Sequence, residues 1–143
     1  MDNTLIKELM SDDLLLVAKT TTITNAAKLM RDKEYGALPV VDSEENLIGI
    51  VTDRDLVVYC LATELSPKDN TVEIAMSSKL YTCNENQLVK DAADIMSDQD
   101  IRRLVVVNDN GTPVGMLSHV DIFKCAYKNE VNDDIVHRLL KYA

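Results

Sequence analysis

Two stretches of this chain set a hydroxyl residue three positions before an aspartate, each directly after an apolar run: LIGIVTDRDL (47–56) and PVGMLSHVDI (113–122). Thr52 with Asp55, and Ser118 with Asp121, therefore stand where a strand runs into a helix. Two chemistries suit that placement. In the first, hydroxyl and carboxylate close a capping box on the helix start, although aspartate is shorter than the usual Glu or Gln. In the second, the helix start offers unpaired backbone N–H groups beside the positive end of its dipole, where a phosphate can sit. The hydroxyl then adds a phosphate or ribose contact, and the carboxylate one turn in accepts both hydroxyls of a ribose. The two uses are compatible, so the pattern by itself leaves both open.

Little else in the chain is spaced for chemistry. There is no Ser-His-Asp arrangement, no glycine-rich phosphate loop and no cluster of metal ligands, so an enzyme is not expected. His119 and His137 are isolated. The three cysteines, Cys60, Cys83 and Cys125, form no CxxC pair and read as small buried hydrophobes in a reducing compartment. A thiol-based redox or metal sensor would instead make the behaviour thiol-dependent. The net charge of −9 argues against a nucleic-acid partner, because such binders need a broad positive surface. An apolar fraction of 46% suffices for a packed core, and no apolar run approaches membrane-spanning length. With no signal-peptide pattern in MDNTLIKELM, the expectation is a soluble, cytoplasmic protein with no membrane partner.

The elements that must position the two motifs come as one unit written twice. Shifted by 66 positions, the sequence matches itself without gaps: Met10-Ser11 falls on Met76-Ser77, Ala26-Ala27 on Ala92-Ala93, Met30 on Met96, Gly49 on Gly115 and Asp55 on Asp121. Two units are too few for a solenoid and suggest a pseudo-twofold pair.

Each unit reads as strand, helix, strand, strand, helix. A short apolar first strand, residues 14–18, is expected to be covered on both faces. Thr20 or Thr21 would cap the next helix, which carries Ile23, Ala26, Ala27 and Met30 at helical spacing; the second unit repeats this as Val89, Ala92, Ala93 and Met96, with Asn86 near the cap. The second strands are residues 37–41 and 104–107, followed by the turns SEEN and NDNG and by third strands ending at Val51 and Leu117. Closing helices carry Leu56, Val57, Cys60 and Leu61, matched by Ile122, Phe123, Ala126 and Tyr127. Pro67 breaks the linker between the units. Residues 129–143 form an amphipathic stripe of Val131, Ile135, Val136, Leu139 and Leu140, either a terminal helix docked on its own core or a dimer contact. The boundaries expected are 5–65, 71–128 and 129–143.

With both repeats in view, ALPVVD, GIVTDRDL, IRRLVVVNDNG and VGMLSHVDI resemble a tandem pair of cystathionine β-synthase (CBS) domains, a Bateman module, of the small free-standing bacterial type. The resemblance implies an α+β fold of two pseudo-symmetric β-α-β-β-α repeats packed sheet to sheet. It implies binding of an adenosine-containing ligand, AMP, ADP, ATP, S-adenosylmethionine, NADH or a cyclic dinucleotide, among which Arg102 and Arg103 favour an adenine nucleotide of the AMP, ADP or ATP type. It also implies a homodimer that signals to an effector protein and needs no catalytic cofactor. The competing function is a ligand-free dimerisation or docking module.

Carried over by position, the resemblance makes Thr52, Asp55, Ser118 and Asp121 the phosphate and ribose contacts. One cleft would join Ser118 and Asp121 to Leu15, Leu16, Gly36, Ala37, Leu38 and Pro39; the other would join Thr52 and Asp55 to Tyr81, Thr82, Arg102, Arg103 and Leu104. Arg102 and Arg103 suit phosphate oxygens, with surface pairing to Asp98 or Asp100 as the alternative. Arg54 and His119 are further candidates for phosphate. The second repeat has Val105 and Ser118 where the first has Pro39 and Thr52, so pocket shape is expected to differ.

Overall fold

A computed structural model describes residues 3–128, and the expected segment 129–143 lies outside them. The chain divides into two compact units. One is the continuous span Leu15–Leu80; the other joins the segment before Leu15 to the chain from Tyr81 onward. They are called here the Thr52 unit and the Ser118 unit.

In the Thr52 unit the order is β1 (Val17–Ala18), α1 (Ile23–Lys33), β2 (Ala37–Val41), β3 (Leu47–Thr52) and α2 (Asp53–Leu56), which runs into a π turn at Val57–Leu61. The Ser118 unit repeats it as β4 (Thr82–Asn84), α3 (Val89–Gln99), β5 (Arg103–Val107), β6 (Pro113–Ser118) and α4 (His119–Lys128). Each unit has one three-stranded sheet, the first strand parallel to the central one and the third antiparallel to it. The expected α+β class and the β-α-β-β-α repeat are both present.

The first strand is shorter than the apolar run suggested, two residues in place of five, and Ala18 and Leu16 are exposed. The cause lies on the neighbouring strand. In the Ser118 unit, Thr82 pairs with Val105, whereas the matching pair in the Thr52 unit would be Leu16 with Pro39. Proline has no N–H to give a ladder, so β1 begins one residue later, at Val17 opposite Val40.

The helices are anchored by groups that the sequence reading placed a residue or two away. Thr22, not Thr20 or Thr21, caps α1, accepting from Asn25 N at 3.2 Å. The two amides before Asn25 are met by the linker, Ile23 N donating to Asn70 O and Thr24 N to Pro67 O, both at 3.0 Å. On α3 the cap comes from Asp91, whose carboxylate accepts from Leu88 N, and not from Asn86. Ile23, Ala26 and Met30 are buried as expected, but Ala27 faces solvent. On the closing helices Leu56, Cys60, Ile122 and Ala126 are buried, while Val57, Leu61 and Tyr127 are exposed. The π turn at Val57–Leu61 still buries Cys60, and Tyr127, the counterpart of Leu61 on the regular helix α4, is exposed as well, so these outward positions lie on the faces of the closing helices that the cores leave uncovered.

Each unit has its own core. Val17, Ile23, Ala26, Leu38, Val40, Val51 and Leu56 pack together in one; Cys83, Val89, Ala92, Met96, Leu104, Leu117 and Ile122 pack in the other. Both cores also take in a lead-in segment. Ile6, from the short turn Ile6–Glu8, is fully buried in the Ser118 core, and Val72, from the turn Val72–Ile74, is fully buried in the Thr52 core. The segment that precedes each repeat in the chain thus belongs to the unit built on the other repeat.

The hydrogen bonds of the lead-ins match at the same offset of 66. Ile6 N donates to Gln87 O and Val89 N to Thr4 O, both at 2.9 Å; in the other unit Val72 N donates to Thr21 O at 2.8 Å and Ile23 N to Asn70 O at 3.0 Å. Ser11 exchanges two bonds of 2.9 Å with Met116 on the outer edge of β6, and Ser77 exchanges two with Ile50 on β3, at 2.9 and 3.0 Å.

Candidate functional site

Both Thr/Ser-x-x-Asp motifs are closed capping boxes. Thr52 Oγ1 accepts from Asp55 N at 3.1 Å, and Thr52 N donates to Asp55 Oδ2 at 2.9 Å. In the second motif Asp121 N donates to Ser118 Oγ at 3.2 Å and Ser118 N to Asp121 Oδ2 at 2.9 Å. Aspartate is long enough for the reciprocal bond after all. The boxes fix both carboxylates, half-buried, in one orientation, with Oδ2 occupied and Oδ1 without a hydrogen-bond partner among the described residues.

The helix amides are a different matter, and here the structure corrects the sequence. Asp53 N donates to Gly36 O at 3.0 Å, Arg54 N to Asp53 Oδ1 at 2.8 Å, and Asp55 N to the Thr52 hydroxyl. At the other motif His119 N donates to Arg102 O at 3.0 Å, while Asp121 N is held by Ser118. A helix start that looked open in the sequence already spends most of its donors on the preceding strand and the box. A phosphate placed here would have to be met chiefly by side chains.

The strands bring the neighbouring candidates to each motif. Ala37 pairs with Thr52 across β2 and β3, and Arg103 pairs with Ser118 across β5 and β6. Within each unit the motif thus lies beside Gly36 and Ala37, or beside Arg102 and Arg103. The cross-repeat grouping expected from the sequence draws on residues of both units.

The other candidates divide by burial. Leu38 and Leu104 are fully buried in their own cores, so only their backbone could meet a ligand. Ala37 and Pro39 are buried on the opposite face of β2 from Leu38. Leu15 and Tyr81 pack at the edges of the two cores, while Leu16 and Thr82 are exposed.

Arg102 is exposed and Arg103 half-buried, and neither forms an ion pair among the described residues, with Asp98, Asp100 or any other acid. That is notable in a chain carrying 24 acidic residues. His119 lies next to them, its Nδ1 3.4 Å from Arg102 O and its ring edge-on to Phe123 at 5.9 Å. Burial, and then the nearby guanidinium charges, hold its imidazole below the ordinary value despite the contact with Arg102 O and the charge of Asp121. His119 is therefore neutral at pH 7, and Arg102 and Arg103 supply the positive charge. The equivalent positions of the Thr52 unit are Gly36, Ala37 and Asp53, which supply none.

The motifs also differ in their hydroxyls. Ser118 Oγ donates to Asp121 Oδ2 at 2.7 Å as well as accepting from Asp121 N, whereas Thr52 Oγ1 only accepts. The Thr52 hydroxyl keeps its proton for another acceptor.

Among the described residues no His, Cys, Asp and Glu side chains gather into a group that could hold a metal ion, and no helix is long and apolar enough to cross a membrane. The cysteines are separate, buried thiols.

Two α+β repeats, each ending its third strand in a Thr/Ser-x-x-Asp box, define a tandem pair of one domain type. The CBS domain profile matches residues 6–62 and 72–128, and this chain belongs to that family. YlbB of Bacillus subtilis, an uncharacterized protein, is 34% identical over 128 residues, covering 89% of this chain and 85% of YlbB. A crystal structure of Hypoxic Response Protein I with two coordinated zinc ions is similar with a TM-score of 0.74 at 30% identity, over 85% of this chain and 98% of that one. The protein of that name from Mycobacterium tuberculosis is 29% identical over 119 residues, 83% of this chain and 82% of its own. The CBS domain pair of protein MJ0100, in complex with 5′-methylthioadenosine and S-adenosyl-L-methionine, has a TM-score of 0.78 at 29% identity, over 87% of this chain and 97% of that one. The chain spans only 26% of one archaeal relative that it matches and 61% of another.

Proposed function

We propose that this chain is a non-catalytic sensor that binds an adenine nucleotide of the AMP, ADP or ATP type and reports its presence to an effector protein, working as a homodimer in the cytoplasm. The observation that carries the reading is the pair of half-buried carboxylates, Asp55 and Asp121. Each is oriented by its own box and keeps one oxygen for a ribose diol. Arg102 and Arg103, without ion pairs among the described residues, supply charge for phosphate. The adenosine ligands of the MJ0100 domain pair support the ligand class. The phosphorylated form is preferred here because of the two arginines.

The test is a thermal-shift panel of AMP, ADP, ATP, S-adenosylmethionine, NADH and cyclic-di-AMP. Wild type is run beside Asp55→Ala and Asp121→Ala. A ligand at 100 times its dissociation constant adds about 2.7 kcal/mol. That is a rise of several degrees, at about 2–4 °C per kcal/mol for a chain of this size. The expected result is a rise with one nucleotide that one Asp variant abolishes, beyond the about 1 kcal/mol cost of a lost cap.

A second reading, a ligand-free interaction module, draws on the exposed Val57, Leu61, Val120 and Tyr127 of the closing helices. It predicts no shift with any compound in the panel and equal behaviour of wild type and both variants once the capping loss is subtracted.

A further inference from the structure

Three groups that carry or can take positive charge meet where β6 of the Ser118 unit runs into α4. Arg102 stands just before β5, and Arg103 opens it, paired with Ser118 across the sheet. His119, the first residue of α4, is tied to them through the backbone. Its N–H donates to Arg102 O at 3.0 Å, and its Nδ1 lies 3.4 Å from the same oxygen. Phe123, one turn on, meets the ring edge-on at 5.9 Å. A carbonyl oxygen can only accept, so the contact suits the tautomer with its proton on Nδ1 and leaves Nε2 as the basic nitrogen.

The charges that act on this imidazole are Arg102 and Arg103 from the β5 side and Asp121 from its own helix. α3 also packs on α4 and carries Lys90, Asp91, Asp94 and Asp98, none of which is among those charges. Asp121 Oδ2 is already engaged by Ser118. Neither arginine has an acidic partner among the described residues. Positive charge gathered without a counter-charge suits an anion from outside. The matching positions of the Thr52 unit are Gly36, Ala37 and Asp53, so the arrangement belongs to one repeat alone.

We propose that His119 is a third phosphate-binding group of the Ser118 unit, one that binds as the imidazolium and takes up a proton when phosphate arrives. This role rests on the reading that Arg102 and Arg103 receive the phosphate of a nucleotide. Without an anion, burial and the two guanidinium groups keep the ring neutral. A phosphate at the arginines offsets their charge and adds negative charge beside the ring, which favours the protonated form. The proton comes from solvent and settles on Nε2, giving the phosphate an N–H donor that the neutral ring does not offer there. With the bound value raised above the free one, affinity increases as pH falls through the bound value, and the gain is complete below the free one. Such a sensor responds to acidification as well as to nucleotide.

The test follows the histidine directly. The full chain has two, His119 and His137, and His119→Gln identifies which ring signal is which. Both are titrated by NMR between pH 5 and pH 8, in free protein, with adenosine, and with AMP, ADP and ATP in turn. The nucleotide that binds should raise the His119 midpoint by about 1 pH unit, while adenosine leaves it in place. Calorimetry without added metal ions then compares the affinity of wild type and His119→Gln for that nucleotide at pH 8 and pH 6. The ratio cancels the titration of the phosphate itself and should be several-fold larger at the lower pH. A nucleotide that binds and leaves the His119 midpoint unmoved overturns the proposal but not the nucleotide reading, and so does a ratio equal at the two pH values. Binding of none of the three nucleotides removes both.

Discussion

Ser77 passes Gly49 so closely that a methyl group on the glycine would stand 2.8 Å from the serine carbonyl oxygen and 2.8 Å from Met76 Sδ. Ser11 and Gly115 repeat the relation in the other unit. The methionine can yield, but the carbonyl belongs to backbone held by two hydrogen bonds, so an added carbon must push a strand. Gly49→Ala and Gly115→Ala are each expected to destabilise by about 1–3 kcal/mol, read as a lower urea midpoint. They should also act in different places. Gly115→Ala should speed amide exchange at Ser11 and Met116, and Gly49→Ala at Ser77 and Ile50. Unchanged protection at those amides would show that the contact is not what the glycines serve.

Glu45, at φ 64°, and Gly111, at φ 77°, occupy the same place in the two hairpins. The left-handed conformation costs a side-chain-bearing residue about 1–2 kcal/mol. Glycine avoids that cost but loses about 0.5–1 kcal/mol through its freer unfolded chain. Glu45→Gly should then stabilise by about 0.5 kcal/mol, a melting temperature higher by about 1–2 °C. Gly111→Ala should lower it, although the space around Gly111 is open. A calorimetric scan of both variants checks the opposite signs.

Asp42 opens the first of those hairpins and Asn108 the second. Asp42 Oδ1 accepts from Glu44 N and Asn46 N, and Asn108 Oδ1 accepts from Asn110 N and Thr112 N in the same pattern. The bonds from Asn46 hold the Asp42 carboxyl below its ordinary value of 3.8. With the folded value depressed, the stabilisation is present above the ordinary value and is lost as pH falls through the lower, folded one. Asp42→Asn should therefore fold normally at pH 7 and lose less stability than wild type between pH 4 and pH 2, in parallel urea titrations. Equal acid sensitivity of the two proteins would remove Asp42 as a source of it.

Cys83 is buried, and desolvation pushes its thiol up to about 12. Because the folded value lies above the ordinary 9.0, its neutral form favours the fold below that pH, and the benefit fades as pH rises from 9 toward 12. At pH 8 a thiol reagent should leave Cys83 unmodified in native protein and modify it in urea, read by peptide mass. Rapid native labelling at Cys83 would reopen the thiol-sensor reading.

Much of the architecture was legible in the chain because the information is local. Helical spacing in Ile23, Ala26 and Met30, the β-rich run Ala37–Val41, the Asn-Gly turn and the hydroxyl-to-aspartate boxes each act within a few residues. Periodicity and capping therefore announced them correctly, and the offset of 66 doubled the signal. The strand-to-helix junctions that carry Thr52, Asp55, Ser118 and Asp121 were legible for the same reason. Their donors were not: whether Asp53 N is free depends on Gly36 O, brought beside it by strand pairing seventeen residues back in the chain.

Three features belong to the tertiary structure alone. The length of β1 is decided by Pro39 on the adjacent strand. Exposure of Val57, Leu61 and Tyr127 is decided by packing, since these apolar residues lie on faces of the closing helices that neither core covers. The last is the exchange of lead-ins. Met10-Ser11 and Met76-Ser77 are the same dipeptide, and Gly49 and Gly115 stand in the same context. The sequence states that a Met-Ser segment must meet a glycine on a strand edge, but not which one. That choice rests on where the chain can run once both sheets have formed, and there the segment before the first repeat completes the second.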